Sequence, residues 1–450
     1  MFCLDRRKKF IMKNNLSRLV LVGFDVLAVY VSIMLAYFLR VWLEPMIGLS
    51  TTGDLAHYTD NLIVYIVVII TFFGVRIYKY RHDFWEETYL VLKSLVIALV
   101  LVLSVLALSK SVSGYSRFIV VASFAIMALL IPTFKYILKK KLNVFGLWAK
   151  RAEVISKDSE VLEHIFGNRY LGYVQSSYKD SDVVFMDTNG KTVEEVETKL
   201  SFFAYEKKEV VFIPLFNSFN YANAGIIELF NARKNMIVLE NSLLKNRNII
   251  FKQLADLFSS LLLVPFLVPV FGIIIFLMKK EEPNGSIFFK QERMGKDGET
   301  FICYKFRSMR EDGDKVLQDY LKEHPEEVKY YSNYHKYEND PRITKIGHFL
   351  RRTSLDELPQ IINVFKGEMS LIGPRPYMLN EKEKIGSRID MVLAVKPGIT
   401  GLWQVSGRSK VDFHSRADMD VYYTRNWNLW LDFVVLLKTV KVVLFREGAY

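Results

Sequence analysis

Cysteine is almost missing from this 450-residue chain: only Cys3 and Cys303 occur, far apart in the sequence. Two lone thiols exclude a disulfide framework and a cysteine metal site, so each reads as reduced and incidental. Glycine is missing where a dinucleotide-binding fold would need it. After the first candidate strand, Asn143 to Trp148, there is only Gly146, with Leu147-Trp148-Ala149-Lys150-Arg151 around it, which excludes the G-x-G-x-x-G fingerprint. Signatures of nucleic-acid modules are missing as well. The net charge of +12 and pI of about 9.3 therefore point elsewhere. A basic balance can mean nucleic acid, anionic lipid or phosphorylated substrates; here much of the Lys/Arg flanks apolar runs, which favours a lipid bilayer and no nucleic acid partner. Apolar residues are what the chain has in plenty, 51% beside 24% charged, a mixture that implies segregation into membrane and aqueous parts. The length suffices for two or three domains.

Four apolar runs, about Leu19 to Leu39, Leu62 to Ile77, Tyr89 to Leu108 and Phe118 to Leu138, have the length a bilayer requires. They predict a four-helix transmembrane bundle over residues 1–141. The first is too long for a signal-peptide core and lacks a small-residue cleavage site. Arg6, Arg7, Lys8, Lys9, Lys13 and Arg18, then Arg76, Lys79 and Arg81, then Lys135, Lys139, Lys140 and Lys141 are the basic flanks. By the positive-inside rule both ends of the bundle face the cytoplasm. Asp25 is costly in lipid unless it faces the other helices, so a helix-packing role is expected of it.

Residues 142–246 change pattern. Candidate strands at Asn143 to Trp148, Leu171 to Val174, Val183 to Asp187, Val210 to Pro214 and Met236 to Leu239 alternate with candidate helices near Glu160 to Phe166, Val193 to Ala204 and Tyr221 to Asn231. That alternation predicts a small parallel α/β sheet, a structural or regulatory module that binds no dinucleotide. Residues 247–450 form the third domain. Its apolar opening, Lys252 to Met278, is long enough for a fifth transmembrane helix, but Pro265 and Pro269 interrupt helix bonding near its middle. Arg310 to Glu338 is charged and tyrosine-rich, and reads as a solvated helical excursion. Asp418 to Tyr450, with Trp427, Trp430, Lys438 and Lys441, suits an element lying at the bilayer surface.

The chemistry concentrates in Asn339 to Pro376. Ser354 followed by Glu357, ahead of Leu358, Ile361 and Ile362, fits a capping box opening a helix. That places Asp356 and Glu357 in a first turn, where the helix dipole keeps carboxylates ionised and free N–H groups can hold a phosphate. Such a pair can act as nucleophile or metal ligand, or merely cap the helix. Pro359 weakens the second reading. So does the company of Arg342, Arg351, Arg352 and Arg375, whose planar forks match phosphate oxygens. Further on, Lys396-Pro397-Gly398-Ile399-Thr400-Gly401 is a rigid loop whose glycines permit close backbone approach to a ligand. Trp403 behind it is either a packed aromatic or a ligand contact.

The segments RRTSLDELPQIINVFKGEMSLIGPRP, FFKQERMGKDGETFICYKFRSM, KPGITGLWQVSGR and DVYYTRNWNLWLD resemble the bacterial sugar transferases, polyprenyl-phosphate hexose-1-phosphate transferases that prime exopolysaccharide, capsule and O-antigen synthesis. The likeness spans roughly Phe251 to Tyr450. The front of the chain resembles the longer members, in which a Rossmann-like cytosolic module follows the helices. The resemblance implies a membrane α/β protein whose mainly helical catalytic domain carries a re-entrant membrane helix, with Lys252, Asp256 and Pro269 matching the family there. Gln253 and Val268 depart from it, and Pro265 is an extra breaker. It also implies that Asp356 attacks a UDP-sugar, that Glu357 with Asp356 binds Mg²⁺, and that Lys305, Arg307, Arg342, Arg351 and Arg352 bind phosphate. Arg375 and the loop residues Pro397, Gly398, Thr400 and Gly401 fall to the nucleotide side. UDP-sugar and polyprenyl phosphate are the expected partners and a homodimer the expected assembly. The expected place is the bacterial inner membrane, multi-pass, with the active site facing the cytoplasm. The alternative is a non-catalytic membrane scaffold of the polysaccharide machinery; an epimerase or dehydratase would need the missing dinucleotide site.

Overall fold

The computed structural model describes residues 2–47, 53–108, 115–156, 158–188, 190–206, 209–213, 225–229, 234–238, 243, 245–324, 327, 340–406 and 412–445. The chain separates into two compact units, Met1–Leu215 and Phe216–Tyr450, so the N-terminal helices and the parallel sheet, expected as separate domains, share one unit.

In the first unit, helices α1 (Phe2–Ile47), α2 (Leu55–Thr59), α3 (Leu62–Gly74), α4 (Phe84–Leu108) and α5 (Arg117–Val144) pack around one apolar core. Asn61 caps α3 by accepting from the Ile63 amide, as a side-chain oxygen at that position should. Four stretches, Leu16–Met46, Leu55–Gly74, Phe84–Leu108 and Arg117–Val144, are long and apolar enough to cross a membrane. Ala28, Ser32, Ala36, Ser94 and Ala98 are fully buried, small side chains of the kind that let helix backbones approach closely in lipid.

Asp25 does face the other helices, and it does not stand alone. It accepts from Lys135 at 2.7 Å and from the Tyr78 hydroxyl at 2.6 Å. Glu87 pairs with Lys139 and accepts from the Tyr170 hydroxyl at 2.8 Å. Lys135 and Lys139, read from the sequence as flanking charges, are thus spent on buried carboxylates, and only Lys140 and Lys141 of that group are exposed. Pairing is what makes such burial tolerable.

The sheet follows. Strands β1 (Lys150–Ile155), β2 (Tyr173–Gln175), β3 (Val183–Asp187) and β4 (Glu209–Ile213) run parallel in the order β2-β1-β3-β4, with α6 (Ser159–Gly167) and α7 (Val193–Tyr205) as crossovers. The first strand starts later than the sequence pattern suggests, because α5 runs on to Val144 and a turn follows. Val183 to Asp187 falls where expected. Arg81 ties the sheet to the helices: one guanidinium nitrogen donates to the carbonyls of Trp148, Leu171 and Gly172, and its plane lies 4.1 Å from the Trp148 ring.

The second unit opens on an antiparallel hairpin, β5 (Gly225–Leu229) and β6 (Lys234–Val238). Here the sequence pattern suggested a helix from Tyr221 to Asn231; the β-branched Ile226 and Ile227 pair as a strand instead. Residues 221–224, 230 and 231, with Pro214 and Leu239, lie outside the described residues, as do 325, 326 and 328–338 of the charged excursion and 446–450 of the last segment. Helix α8 (Asn246–Glu281) comes next. Helical backbone runs through both Pro265 and Pro269, whose rings remove two N–H donors without ending the helix. Leu261, Phe266 and Val268 on its middle are exposed, and Arg247–Glu281 is a fifth stretch able to cross a membrane. These apolar stretches make the chain a membrane protein.

Around α8 gather an antiparallel pair, β7 (Phe288–Met294) and β8 (Thr300–Phe306), and helices α9 (Gly313–Glu323), α10 (Lys345–Thr353) and α11 (Ile361–Phe365). Strand β9 (Ser370–Ile372), helices α12 (Lys382–Ile385) and α13 (Ile389–Leu393) and strand β10 (Gly398–Thr400) follow, then α14 (Leu402–Ser406), α15 (Phe413–Asn426) and α16 (Leu429–Phe445). The start of α8 is held by Lys252, which donates to Asp432 at 2.7 Å, and by Asp256, which accepts from the Ser370 hydroxyl at 2.7 Å. Its end is held by Glu281, which accepts from the Lys345 and Ile346 amides, and by Ile274 and Met278 packed on Phe306 and Leu350.

Candidate active site

The cleft grows from β8. Side chains alternate across a strand, so Phe301, Cys303 and Lys305 point one way, Phe301 and Cys303 toward Val364 and Met369 of the following segment. Asn363, fully buried, behaves as a further strand: its Oδ1 accepts from the Tyr304 amide and its Nδ2 donates to the Ile302 carbonyl. With the two segments locked, Lys305 reaches Glu357 at 2.6 Å. Burial pushes the Cys303 thiol up to about 11, which leaves it a packing group, as the lone cysteine suggested.

Ser354 does not act as expected. It closes α10 with φ 56 and makes no side-chain cap bond, and Leu355–Gln360 is a 3₁₀ turn. The sequence S-x-x-E is satisfied by a left-handed kink at Ser354 instead of a capping box, and Pro359 fits because a short 3₁₀ turn asks little of its missing N–H. The carboxylate pair nevertheless sits at the mouth of a cavity of about 1070 Å³. That cleft brings together Asp356, Glu357, Lys305, Arg307, Arg342, Arg351, Arg375 and Thr400.

The environment of Asp356 is the reverse of a dipole-stabilised one. Burial and the neighbouring Glu357 carboxylate push its acid up to about 6, against the opposing pull of Lys305 and Arg351. It is therefore ionised at neutral pH and neutral in mild acid. Any function needing the carboxylate should fall away as pH drops through about 6. Replacing Lys305 by Met removes one of the charges that restrain this shift, so the acid limb of activity is expected to move to higher pH; a limb left in place, measured by initial rates across pH, would separate Lys305 from Asp356.

The predicted cations divide into two groups. Arg342 is matched by Asp340 through two bonds of 2.8 and 2.7 Å. Arg307 is nearly buried, donates to the Ser286 carbonyl, pairs with Glu282 at 2.7 Å and fills the space where a Gly285 Cβ would stand. Both hold the wall of the cleft as well as lining it. Arg351 is held by Ser308 at 2.8 Å. Arg352, on the exposed side of α10, does not line the cleft.

Gly398 and Gly401 also serve differently from the expectation. A Cβ on either would run into the backbone of Gly373, so the close approach is of loop to loop, as β9 and β10 pair in parallel. Pro397 accepts from the Ser370 amide behind the cleft, and of this loop Ile399 and Thr400 face it. Sequence reasoning missed Arg416 and Thr439. Arg416 lies 5.0 Å from the centre of the Trp403 ring, with Arg375 at 5.6 Å, and Thr439 meets Thr400 at 2.8 Å. Their helices carry no local pattern that marks them. Val443 and Val405 add an apolar wall to the polar floor.

Among the described residues no three His, Cys, Asp or Glu side chains gather to hold a metal. The adjacent pair Asp356 and Glu357 still fits Mg²⁺, which takes one or two carboxylates and completes its shell with water and substrate phosphate. Their mutual repulsion, visible in the raised Asp356 acid, is what a cation between them would relieve.

A membrane chain whose cleft sets a carboxylate pair among guanidinium groups matches one known class. The family described as bacterial sugar transferases matches residues 247–446. Over 99% of its length, and 100% of the other's, the chain is 32% identical to the UDP-galactose-lipid carrier transferase of Erwinia amylovora. This chain belongs to the bacterial sugar transferase family, and it is a transferase. It is also 32% identical to the undecaprenyl-phosphate galactose phosphotransferase of Salmonella typhimurium, over 85% of this chain and 87% of that one. With the UDP-glucose:undecaprenyl-phosphate glucose-1-phosphate transferase of Klebsiella pneumoniae the likeness, 36% identity, covers 54% of this chain and 50% of the other.

Proposed function

We propose that this transferase moves a hexose-1-phosphate from a UDP-hexose to undecaprenyl phosphate, the priming step of polysaccharide or O-antigen synthesis. The reading is carried by one observation: a single cleft holds Asp356 and Glu357 beside Lys305, Arg351 and Arg375, with an apolar wall at Val405 and Val443. Two anionic substrates meeting there need cations before bond exchange. In the first step an Asp356 oxygen attacks the donor's sugar-bearing phosphorus; the bond from that phosphorus to the bridging oxygen breaks, and UMP leaves with the electron pair. In the second, an oxygen of the lipid phosphate attacks the same phosphorus and the Asp356 carboxylate departs unchanged. Mg²⁺ held by Glu357 and Asp356 would supply charge neutralisation. Lys305 and Arg351 hold Asp356 ionised, while Arg375 and Thr400 face the donor.

The same reading places the cleft on the cytoplasmic side of the bacterial inner membrane, with α8 entering and leaving by one face. What supports it is the anchoring of α8. Lys252 and Asp256 bond to Asp432 and Ser370, and Glu281 bonds to Lys345 and Ile346, so both ends are tied to the same set of cleft elements while the apolar middle is exposed.

Purified protein given undecaprenyl phosphate, Mg²⁺ and a panel of UDP-sugars should release UMP, with UDP-galactose the first donor to try because two relatives matched over most of their length are named for galactose. Silence with every donor would return the scaffold alternative. Labelling of residues beyond Lys280 from the periplasmic face would sink the re-entrant topology.

A further inference from the structure

Asp420 lies in the middle of α15, fully buried behind the loop that carries Arg375. Its Oδ2 accepts from the Arg375 main-chain N–H at 3.2 Å and from the Tyr377 hydroxyl at 2.9 Å, and its Oδ1 has no hydrogen-bond partner. A buried carboxylate with one oxygen unmatched costs stability unless a nearby charge offsets it. Packing alone therefore gives no reason for an acid here.

The surroundings narrow the reason further. The elements packed on this side of α15 contribute Ile385, Val392 and Tyr377. Asp418 is paired outward with Arg388, and Tyr423, one turn on, is directed to Asp432 and the Ile372 carbonyl. Arg416, one turn back, lies over Trp403. The positive charge that acts on Asp420 is Arg375, whose guanidinium lines the cleft. The rest of that loop is already pinned: Arg293 donates to the Pro376 carbonyl at 3.1 Å, the Met294 amide to Tyr377, and the Gly373 amide to Thr400.

We propose that Asp420 is a positioning residue for Arg375, its carboxylate fixing that residue's main chain and balancing its guanidinium so that the fork stays turned into the cleft toward the donor's diphosphate. This rests on the transfer reading above. Asp420 touches no substrate and acts only through Arg375. Burial lifts its acid to about 7, with the Tyr377 hydroxyl and the Arg375 amide and charge holding it down. The charged, positioning form thus prevails above about pH 7 and is lost below it, so donor binding should weaken as pH falls through that value.

The test follows UMP release by the full-length protein with its UDP-sugar across pH, alongside thermal melting. Asp420→Asn keeps the shape and removes the charge; the donor KM should rise about ten- to a hundredfold, as when a group aiming a ligand contact is lost, with a smaller change in kcat. The limb near pH 7 should vanish. Tyr377→Phe removes a bond that holds the acid down while keeping the charge, so that limb should shift to higher pH. An Asp420→Asn protein with wild-type KM and pH profile would overturn the proposal. If that variant does not fold, an unshifted limb in Tyr377→Phe overturns it instead. A wild-type protein that releases no UMP from any UDP-sugar would indict the transfer reading, not this one.

Discussion

Asp356→Asn is expected to abolish UDP-sugar-dependent release of UMP, by at least about 10³-fold, the scale on which loss of a nucleophile registers. The substitution is nearly isosteric, and the stability argument runs opposite to the catalytic one. Burial and Glu357 raise the folded acid to about 6, above the value of an exposed aspartate. Folding therefore favours the protonated form, and ionised Asp356 costs stability at any pH above that value. A neutral Asn should leave the melting temperature unchanged or raise it at neutral pH. Dead and well folded is the predicted combination. A variant that turns over near the wild-type rate would remove the nucleophile assignment, and one that is dead because it melts early would leave the role to be tested by Glu357→Gln beside it.

Gly398→Ala should be nearly as damaging for a different reason. A Cβ at Gly398 would collide with the Gly373 amide nitrogen and the Thr400 carbonyl, and one at Gly373 would stand 2.7 Å from the Lys396 carbonyl and 2.8 Å from the Gly398 nitrogen. These obstacles are backbone, so nothing flexible can yield. Separating β9 from β10 would displace Ile399, Thr400 and Arg375 together. Overpacking of this kind costs about 1–3 kcal/mol or more, and a shift of 1 Å at a reacting centre costs on the order of 10²-fold in rate. Both melting temperature and UMP release should fall. Gly23→Ala, with nothing within 4 Å of the added methyl, is the control that should change neither. Wild-type behaviour in Gly398→Ala would mean that the two loops are not in contact.

Legibility followed sequence distance. The catalytic stretch could be read because its chemistry is local: Asp356 beside Glu357, the arginines within a few turns, the glycine loop a compact string. The strand Val183–Asp187 and the helix Val193–Tyr205 were also plain, since periodicity and length sufficed. What escaped depends on partners far along the chain. Lys305 meets Glu357 across 52 positions, and Arg307 is half-spent on Glu282, neither of which a pattern reports. S-x-x-E around Ser354 was misleading because a helix C-terminus in the left-handed conformation and an N-cap can carry the same residues. The loop glycines announced close approach correctly, yet a sequence does not say whether ligand or backbone does the approaching. Asp420 opens the segment DVYYTRNWNLWLD, yet nothing in Met419-Asp420-Val421 says that it turns inward to Arg375, 45 positions away.

The pairing of Asp25 with Lys135 has a consequence for how the chain is made. The two residues are 110 positions apart, so at roughly 5–20 residues per second of synthesis the first helix waits on the order of 5–20 s for its counter-ion to emerge. During that interval the Tyr78 hydroxyl, 53 positions on, is the earlier partner, and a carboxylate without its counter-ion remains costly in lipid. The N-terminal helices therefore reach their final charge balance only after the last of them has been made.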